Sequence, residues 1–261
     1  MIITLLSDFG LQDNFVAVAR GILLQELPDA QLIDLSHEVR PFHLLQCSYL
    51  LASSFSNFPK GTVHLSLFDT MHHQPAYLLI TEIKGQFIIS ADNGLLPLTF
   101  NHKLPQVYNS GKIPASYSDW LLHAAVFIRE LKEHAFSFNH LVPFSPAIYP
   151  IKLRPIIKDD SVECQIIHID RYENVVLNIT KEEFEEQRRG RNFLLKFLRN
   201  ESINKISSNY SDVLPGEKLC LFNTAGYLEI AVNRGNAASL LGLQLHNEKS
   251  LVYQNIKIDF Q

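Results

Sequence analysis

Two aspartates sit directly after apolar runs, where an open α/β sheet presents ligand contacts at the carboxyl ends of its strands. Asp8 follows the run from Ile2 to Leu6 in "SDFG", and Asp69 follows Val63 to Leu67 in "FDTMHHQPAY". An ionised carboxylate has two acceptor oxygens and no donor, so Asp8 can take both hydroxyls of a ribose; the plainer alternative is that it shapes a turn with Gly10. The kinase "DFG" is excluded, because the seven residues ahead of Asp8 leave no room for a nucleotide lobe. Asp69 is accompanied by His72 and His73. Histidine and carboxylate are zinc ligands, yet neighbouring histidines on a strand point to opposite faces, and no second His/Cys cluster lies near enough in sequence to complete four ligands. The expectation is no metal, a solvated loop at His72 and His73, and two strand-end acids able to share one pocket.

Two further stretches carry polar groups in patterns. "ADNGLL", residues 91–96, places Asn93 in ordinary turn chemistry at a strand end. "HIDRYENVVLNI" sets His168, Asp170, Tyr172 and Asn174 at alternate positions, so that on a regular strand they share a face. Such a face can stack on a base and hydrogen-bond its edge, or it can be the polar side of a barrel strand.

These residues need elements to position them. In the first half, continuous apolar runs alternate with helical patterns: Ile2 to Leu6, a helix from about Asn14 to Leu27, then "QLIDL", "HLLQCSYLLASSF" and "TVHLSLF". "AYLLIT" and "QFIIS" follow around "KG", and "SDWLLHAAVFIREL" predicts a helix with Ser118 or Asp119 as N-cap. That alternation predicts a mostly parallel α/β sheet. Pro143, Pro146, Pro150 and Pro155 then crowd one stretch, which divides the chain into an α/β domain at 1–145, a linker at 146–155 and a second domain at 156–261. The second part consists of short β-type runs around a single charged helix opening in a capping box, Thr180 with Glu183, and predicts a small β-barrel.

Composition narrows the partners. A net charge of −4 and 19% charged residues give no basic footprint for nucleic acid or for a membrane surface, so small molecules are the expected ligands. Cys47, Cys164 and Cys220 lie apart in apolar runs, as buried thiols of a reducing compartment do. With no signal-like N-terminus and no run of roughly 18 apolar residues, a cytoplasmic protein is expected.

Taken in order, "LSDFGLQDNFVAVARGIL", "IDLSHEVRPF", "FPKGTVHLSLFD", "ISADNGLL", "IIHIDRYENVVLNI" and "NTAGYLEIAVNRGNAASLLGL" resemble the family of S-adenosyl-L-methionine (SAM) hydroxide adenosyltransferases, relatives of the SAM-dependent fluorinases and chlorinases. The resemblance implies a seven-stranded α/β domain, a β-barrel domain, and a homotrimer that binds SAM between subunits. It implies that Asp8 grips the ribose diol, that Asp13 lies near the methionine amino group, that Phe42 sets an aromatic ring beside the ribose, and that Asn93 belongs to the substrate site. In the second domain it implies that Asp170 holds the methionine end, with Tyr172, Asn174, Asn223, Thr224, Asn236 and Ala237 around the adenine. The implied reaction is attack of water or hydroxide at C5′ with methionine leaving, without metal or cofactor.

The loop after Asp69 departs from the family pattern. Family hydrolases read like "DPGVGTxRR" there, and an Arg of that loop and a His before the last helix of the domain help orient the water. Here "TMHH" replaces the glycines, the Arg position falls at Pro75 or Ala76, and the His position falls at Ser116 or Tyr117. Asp69, His72, His73 and Ser116 are therefore the residues left for the water. Glu173 stands where the family has Gly. Three functions follow in order: SAM hydrolysis, binding of SAM or adenosine without turnover, and, last, halide transfer, which the Asp69 carboxylate opposes because it repels an incoming anion.

Overall fold

The structure is a computed structural model describing residues 1–72, 75–100, 103–148, 154–197, 201–245 and 256–261. The chain divides into two compact units, Met1–Ile151 and Lys152–Gln261.

The first unit is built on strands β1 (Ile2–Leu6), β2 (Gln31–Ser36), β3 (Val63–Ser66), β4 (Leu78–Ile83), β5 (Gln86–Ala91), β6 (Val107–Asn109) and β7 (Val142–Phe144). They form a seven-stranded sheet in the order β2-β1-β3-β5-β4-β6-β7. The pairs β1–β2, β1–β3 and β3–β5 are parallel, whereas β4–β5, β4–β6 and β6–β7 are antiparallel. The mostly parallel sheet expected from sequence is therefore corrected to a mixed one. Its antiparallel half begins where Lys84 and Gly85, both at positive φ, turn β4 directly back into β5, a connection too short for a crossover. Pro143 lies in β7, at the sheet edge where a missing N–H is tolerated.

Helices α1 (Phe15–Glu26), α2 (Leu44–Ser54), α3 (Leu95–Phe100) and α4 (Tyr117–Glu133) cover both faces. Alternation along the strands divides the core. Leu78, Ile80, Phe87 and Ile89 pack with Ala19 and Leu23 of α1 and Trp120, Ala124 and Ile128 of α4. Leu79 and Ile88 pack on the other side with Leu44, Cys47 and Leu51 of α2 and with Leu95 and Leu96 of α3. Among the described residues no helix is long and apolar enough to cross a membrane.

The second unit contains β8 (Ile156–Lys158), β9 (Ser161–Cys164), β10 (Ile166–Ile169), β11 (Val175–Thr180), α5 (Lys181–Arg188), β12 (Phe193–Lys196), β13 (Ser202–Ile203), β14 (Lys218–Phe222), β15 (Tyr227–Val232), α6 (Ala237–Leu241) and β16 (Ile256–Phe260). The run "LVYQNIKI" begins outside the described residues. The strands make two antiparallel sheets, β10-β11-β15-β14 and β13-β12-β16-β9-β8, around one shared core. The expected barrel is corrected: no closed barrel forms among the described residues. The chain passes from one sheet to the other at Gln165, whose N–H donates to the Asn178 side chain of β11 (2.7 Å) while its carbonyl accepts the Asn178 N–H (3.0 Å). Cys47, Cys164 and Cys220 are buried free thiols.

Helix α5 opens as its sequence predicts. Thr180 Oγ1 accepts from the Glu183 N–H (3.2 Å), and the Glu183 carboxylate accepts from the Thr180 N–H (3.1 Å). Phe184 is fully buried, edge-on to Phe193 at 5.2 Å, and anchors the helix to the core. Replacing Thr180 with Ala is expected to lower unfolding stability by about 1 kcal/mol, read from urea titration; an unchanged midpoint would show that the cap is idle.

Candidate active site

The parallel register of β1 and β3, Leu6 against Ser66, brings the loops that carry Asp8 and Asp69 to one sheet edge. Both acids line a cavity of about 390 Å³ with Phe9, Phe15, Phe42, Met71, His72 and Tyr117. The two strand-end acids thus share a pocket.

Asp8 Oδ2 accepts the backbone N–H of Phe42 at 3.0 Å, and Phe42 holds a left-handed φ of 62°. Burial pushes the Asp8 pKa up; the Phe42 N–H opposes this, and the nearby charge of Asp69 adds to the rise. A second line of contacts fixes this loop from behind. Ser7 Oγ lies 2.7 Å from His37 Nδ1, His37 Nε2 lies 3.0 Å from Asp34 Oδ1, and Asp34 pairs with Arg20. Gly10 N–H bonds to the His37 carbonyl at 2.7 Å, which ties the loops after β1 and β2 together.

Asp69 also has positive φ, 43°, and its Oδ1 lies 2.7 Å from His72 Nδ1. Asp69 is 11% exposed and His72 66%, so the pair connects the cavity to solvent. The His72 ring meets Phe42 edge-on at 4.8 Å. The expected solvated loop holds for His72, which is nevertheless engaged with the acid; His73 lies outside the described residues. Among those residues no three His, Cys, Asp or Glu side chains are grouped to hold a metal ion.

Three expected site residues of this unit stand elsewhere. Asn93 is buried beneath the loop rather than in the cavity: its Nδ2 donates to the Phe68 carbonyl (2.7 Å) and its Oδ1 accepts from Leu95 N–H, so it braces Asp69. Ser116 is the N-cap of α4, accepting from Asp119 N–H at 3.1 Å, which corrects the expected cap at Ser118 or Asp119; it does not line the cavity. Asp13 is exposed ahead of α1 and does not line the cavity.

Tyr117, the alternative to Ser116 for the family His position, is absent from the expected site residues. It enters the cavity edge-on to Phe9 (5.5 Å), and its Oη, shielded from solvent, bonds to no protein group among the described residues. A hydroxyl buried without a partner costs roughly 1–3 kcal/mol. Burial and the Asp8 charge hold the phenol un-ionised.

In the second unit the shared face expected for His168, Asp170, Tyr172 and Asn174 does not form. β10 ends at Ile169, and the chain curls around the Asp170 carboxylate, whose Oδ1 accepts from Tyr172 N–H (2.9 Å) and Asn174 N–H (2.8 Å) and whose Oδ2 accepts from Asn174 Nδ2 (3.1 Å). Alternation holds only in an extended strand, and Glu173 has φ 61°. The Glu173 carboxylate then accepts Ser239 N–H at 2.9 Å and also engages Asn236, bringing this hairpin onto the first turn of α6. Ala237 is buried in the core rather than offered to a ligand. Asn223 organises the β14–β15 turn, its Oδ1 accepting from Ala225 and Tyr227 N–H groups, with Thr224 exposed at the tip. Tyr172 is 75% exposed, a free ring face. Sequence reasoning also missed Glu229, the lone acid in "GYLEIAV". Its carboxylate is buried, held by Tyr210 Oη (2.7 Å) and by Asn223, and burial pushes its pKa up.

Comparison with known proteins places this geometry. Two family models match the chain, the SAM hydroxide adenosyltransferase N-terminal domain over residues 3–125 and its C-terminal domain over 164–249. The chain belongs to the SAM hydroxide adenosyltransferase family. Among relatives named (R)-S-adenosyl-L-methionine hydrolase, that of Methanocaldococcus jannaschii is 27% identical across 97% of this chain and 96% of its own. That of Salinispora tropica is 26% identical across 92% and 94%. An uncharacterized conserved protein from Thermotoga maritima has the same fold, with a TM-score of 0.80 over 99% of this chain and all of its own at 22% identity. At the loop after Asp69 and at residue 173 the structure shows an Asp–His pair and a left-handed glutamate.

Proposed function

We propose that the protein hydrolyses S-adenosyl-L-methionine to adenosine and L-methionine by displacement at the ribose C5′. The observation that carries this reading is the pairing of Asp8 and Asp69 in one cavity walled by Phe9, Phe15 and Phe42. Two carboxylates and aromatic faces favour a cation, and the sulfonium of SAM is one. Asp8 accepts from the ribose diol. Asp69, backed by His72, accepts from the water and takes its proton. A sulfonium leaves as a neutral thioether and asks for no acid, so alignment and partial desolvation of the nucleophile supply the rate. This reading calls on no metal and no cofactor.

In this reading the second unit of a neighbouring copy supplies the remaining contacts: Asp170 toward the methionine end, and Tyr172, Asn174, Asn223, Thr224 and Asn236 toward the adenine. Leu11, Phe15 and Val18, each more than 40% exposed, give an apolar surface that suits association of copies and supports a homotrimer. We place the protein in the cytoplasm, with a small-molecule ligand and neither nucleic acid nor membrane as partner. Binding without turnover has one observation in its favour, the 66% exposure of His72, which weakens its hold on Asp69 by solvent screening.

The deciding experiment is a chromatographic time course of purified protein with SAM. Adenosine and methionine should appear together, and both should vanish in Asp8→Ala. Stabilisation by SAM without product would establish binding alone and discard the hydrolase.

A further inference from the structure

The first turn of α6 is capped by a residue from another hairpin. Asn236 holds the N-cap position, where an asparagine ordinarily accepts an N–H from two or three residues on, yet its side chain makes no cap bond. Glu173 has taken both N–H groups: its carbonyl accepts from Ala238 at 2.9 Å and its carboxylate from Ser239 at 2.9 Å. The same carboxylate accepts from the Ser239 hydroxyl and from the Asn236 side chain, and these bonds hold its pKa below the ordinary value. An ionised carboxylate only accepts, so the Asn236 amide presents Nδ2 to Glu173 and turns Oδ1 away from it. Glu173 keeps this role at a φ of 61°, a conformation costly to any residue with a Cβ. The next residue repeats the pattern. Asn174 Nδ2 donates to Asp170 Oδ2 at 3.1 Å, which leaves its oxygen as the remaining acceptor.

Resting on the reading that sets the adenine against Asn174 and Asn236, we propose that Glu173 determines the base specificity of the site: by capping α6 in place of Asn236, it fixes the Asn236 amide oxygen as an acceptor for the exocyclic amino group of a 6-aminopurine. Adenine carries hydrogens on that group. A 6-oxopurine carries a carbonyl oxygen there and sets one acceptor against another. Left to cap its own helix, Asn236 would direct its oxygen at backbone N–H groups and show the base its Nδ2 hydrogens, the pattern that a 6-oxopurine accepts. Glu173 acts through Asn236 and is a positioning residue; Asn236 is the group that reads the base. The effect depends on the carboxylate having no hydrogen to give, which no amide at this position reproduces.

The test is calorimetric titration of the protein with adenosine and with inosine, repeated for Glu173→Gln and Asn236→Ala, with melting of each unliganded protein. The parent should bind adenosine roughly 10- to 100-fold more tightly than inosine, since an acceptor facing an acceptor leaves both unpaired. Glu173→Gln keeps an oxygen for the Ser239 N–H but offers Nε2 hydrogens to Asn236, whose amide then turns over. The preference should shrink to about threefold or less, chiefly through tighter inosine, and Asn236→Ala should shrink it through weaker adenosine. A role confined to holding the fold would lower the Tm and weaken both nucleosides together. An unchanged ratio in either variant overturns the proposal and leaves the hydrolase reading standing. Equal binding of the two nucleosides by the parent overturns it as well. If the parent binds neither adenosine nor SAM, the reading of the site falls and the role of Glu173 falls with it.

Discussion

Asp8→Ala should lower kcat/KM for SAM by about 10²- to 10⁴-fold, because two charge-assisted bonds to a diol contribute roughly 1.5–3 kcal/mol each. Asp8→Asn separates charge from shape. It keeps an oxygen for the Phe42 N–H but cannot accept from both ribose hydroxyls. Burial, joined by the charge of Asp69, raises the Asp8 pKa in the folded protein, and the pH dependence follows from that sign. The folded state holds its proton to higher pH than the unfolded chain does. Stability from that proton is present below the unfolded pKa and is lost as pH rises through the folded one. The unliganded Asn variant should therefore be as stable as the parent at neutral pH, or more so, while losing activity. Ligand binding has the opposite sign, because SAM needs the ionised form and its sulfonium draws the Asp8 pKa back down. The acid limb of kcat/KM, which reports the free enzyme, should lie at higher pH than the limb of kcat. Coincident limbs would refute the assignment of Asp8 to the ligand.

Asp69→Asn should cut kcat by about 10²- to 10⁴-fold while adenosine still stabilises the protein, since the lost group handles the water and not the nucleoside. Asn is the appropriate substitution here. Residue 69 sits at a φ of 43°, a conformation that Asn adopts more readily than Ala, so the backbone is preserved while the base is lost. Removing the Asp69 charge should also move the acid limb of kcat/KM downward, because that charge helps to raise Asp8. His72→Ala should cost less, about tenfold, because water can relay a proton from a carboxylate whose partner is 66% exposed. Parental turnover in Asp69→Asn would end the case for Asp69 as the base.

The sequence by itself determined what depends on neighbouring residues. Apolar runs ending in Asp8 and Asp69 announced strands with acids at their carboxyl ends, and parallel pairing with β1 then had to bring those ends together. The box of Thr180 and Glu183 was legible because both partners lie within one helical turn. Only the tertiary structure decided what depends on distant partners. The direction of β4, β6 and β7 is set by pairing, which local hydrophobicity does not record. The hairpin at Asp170 looked like a strand because polar and apolar residues alternate there, and a carboxylate collecting N–H groups from across a loop undid it. Most telling is the start of α4, where the family alignment fell on Ser116 or Tyr117. On a helix, neighbouring side chains diverge by about 100°, so one residue of register separates a cap from a pocket lining. Phe9 and Phe15, more than a hundred residues earlier in the chain, hold the ring that faces the cavity. That choice is made by packing between remote segments, and no local pattern contains it.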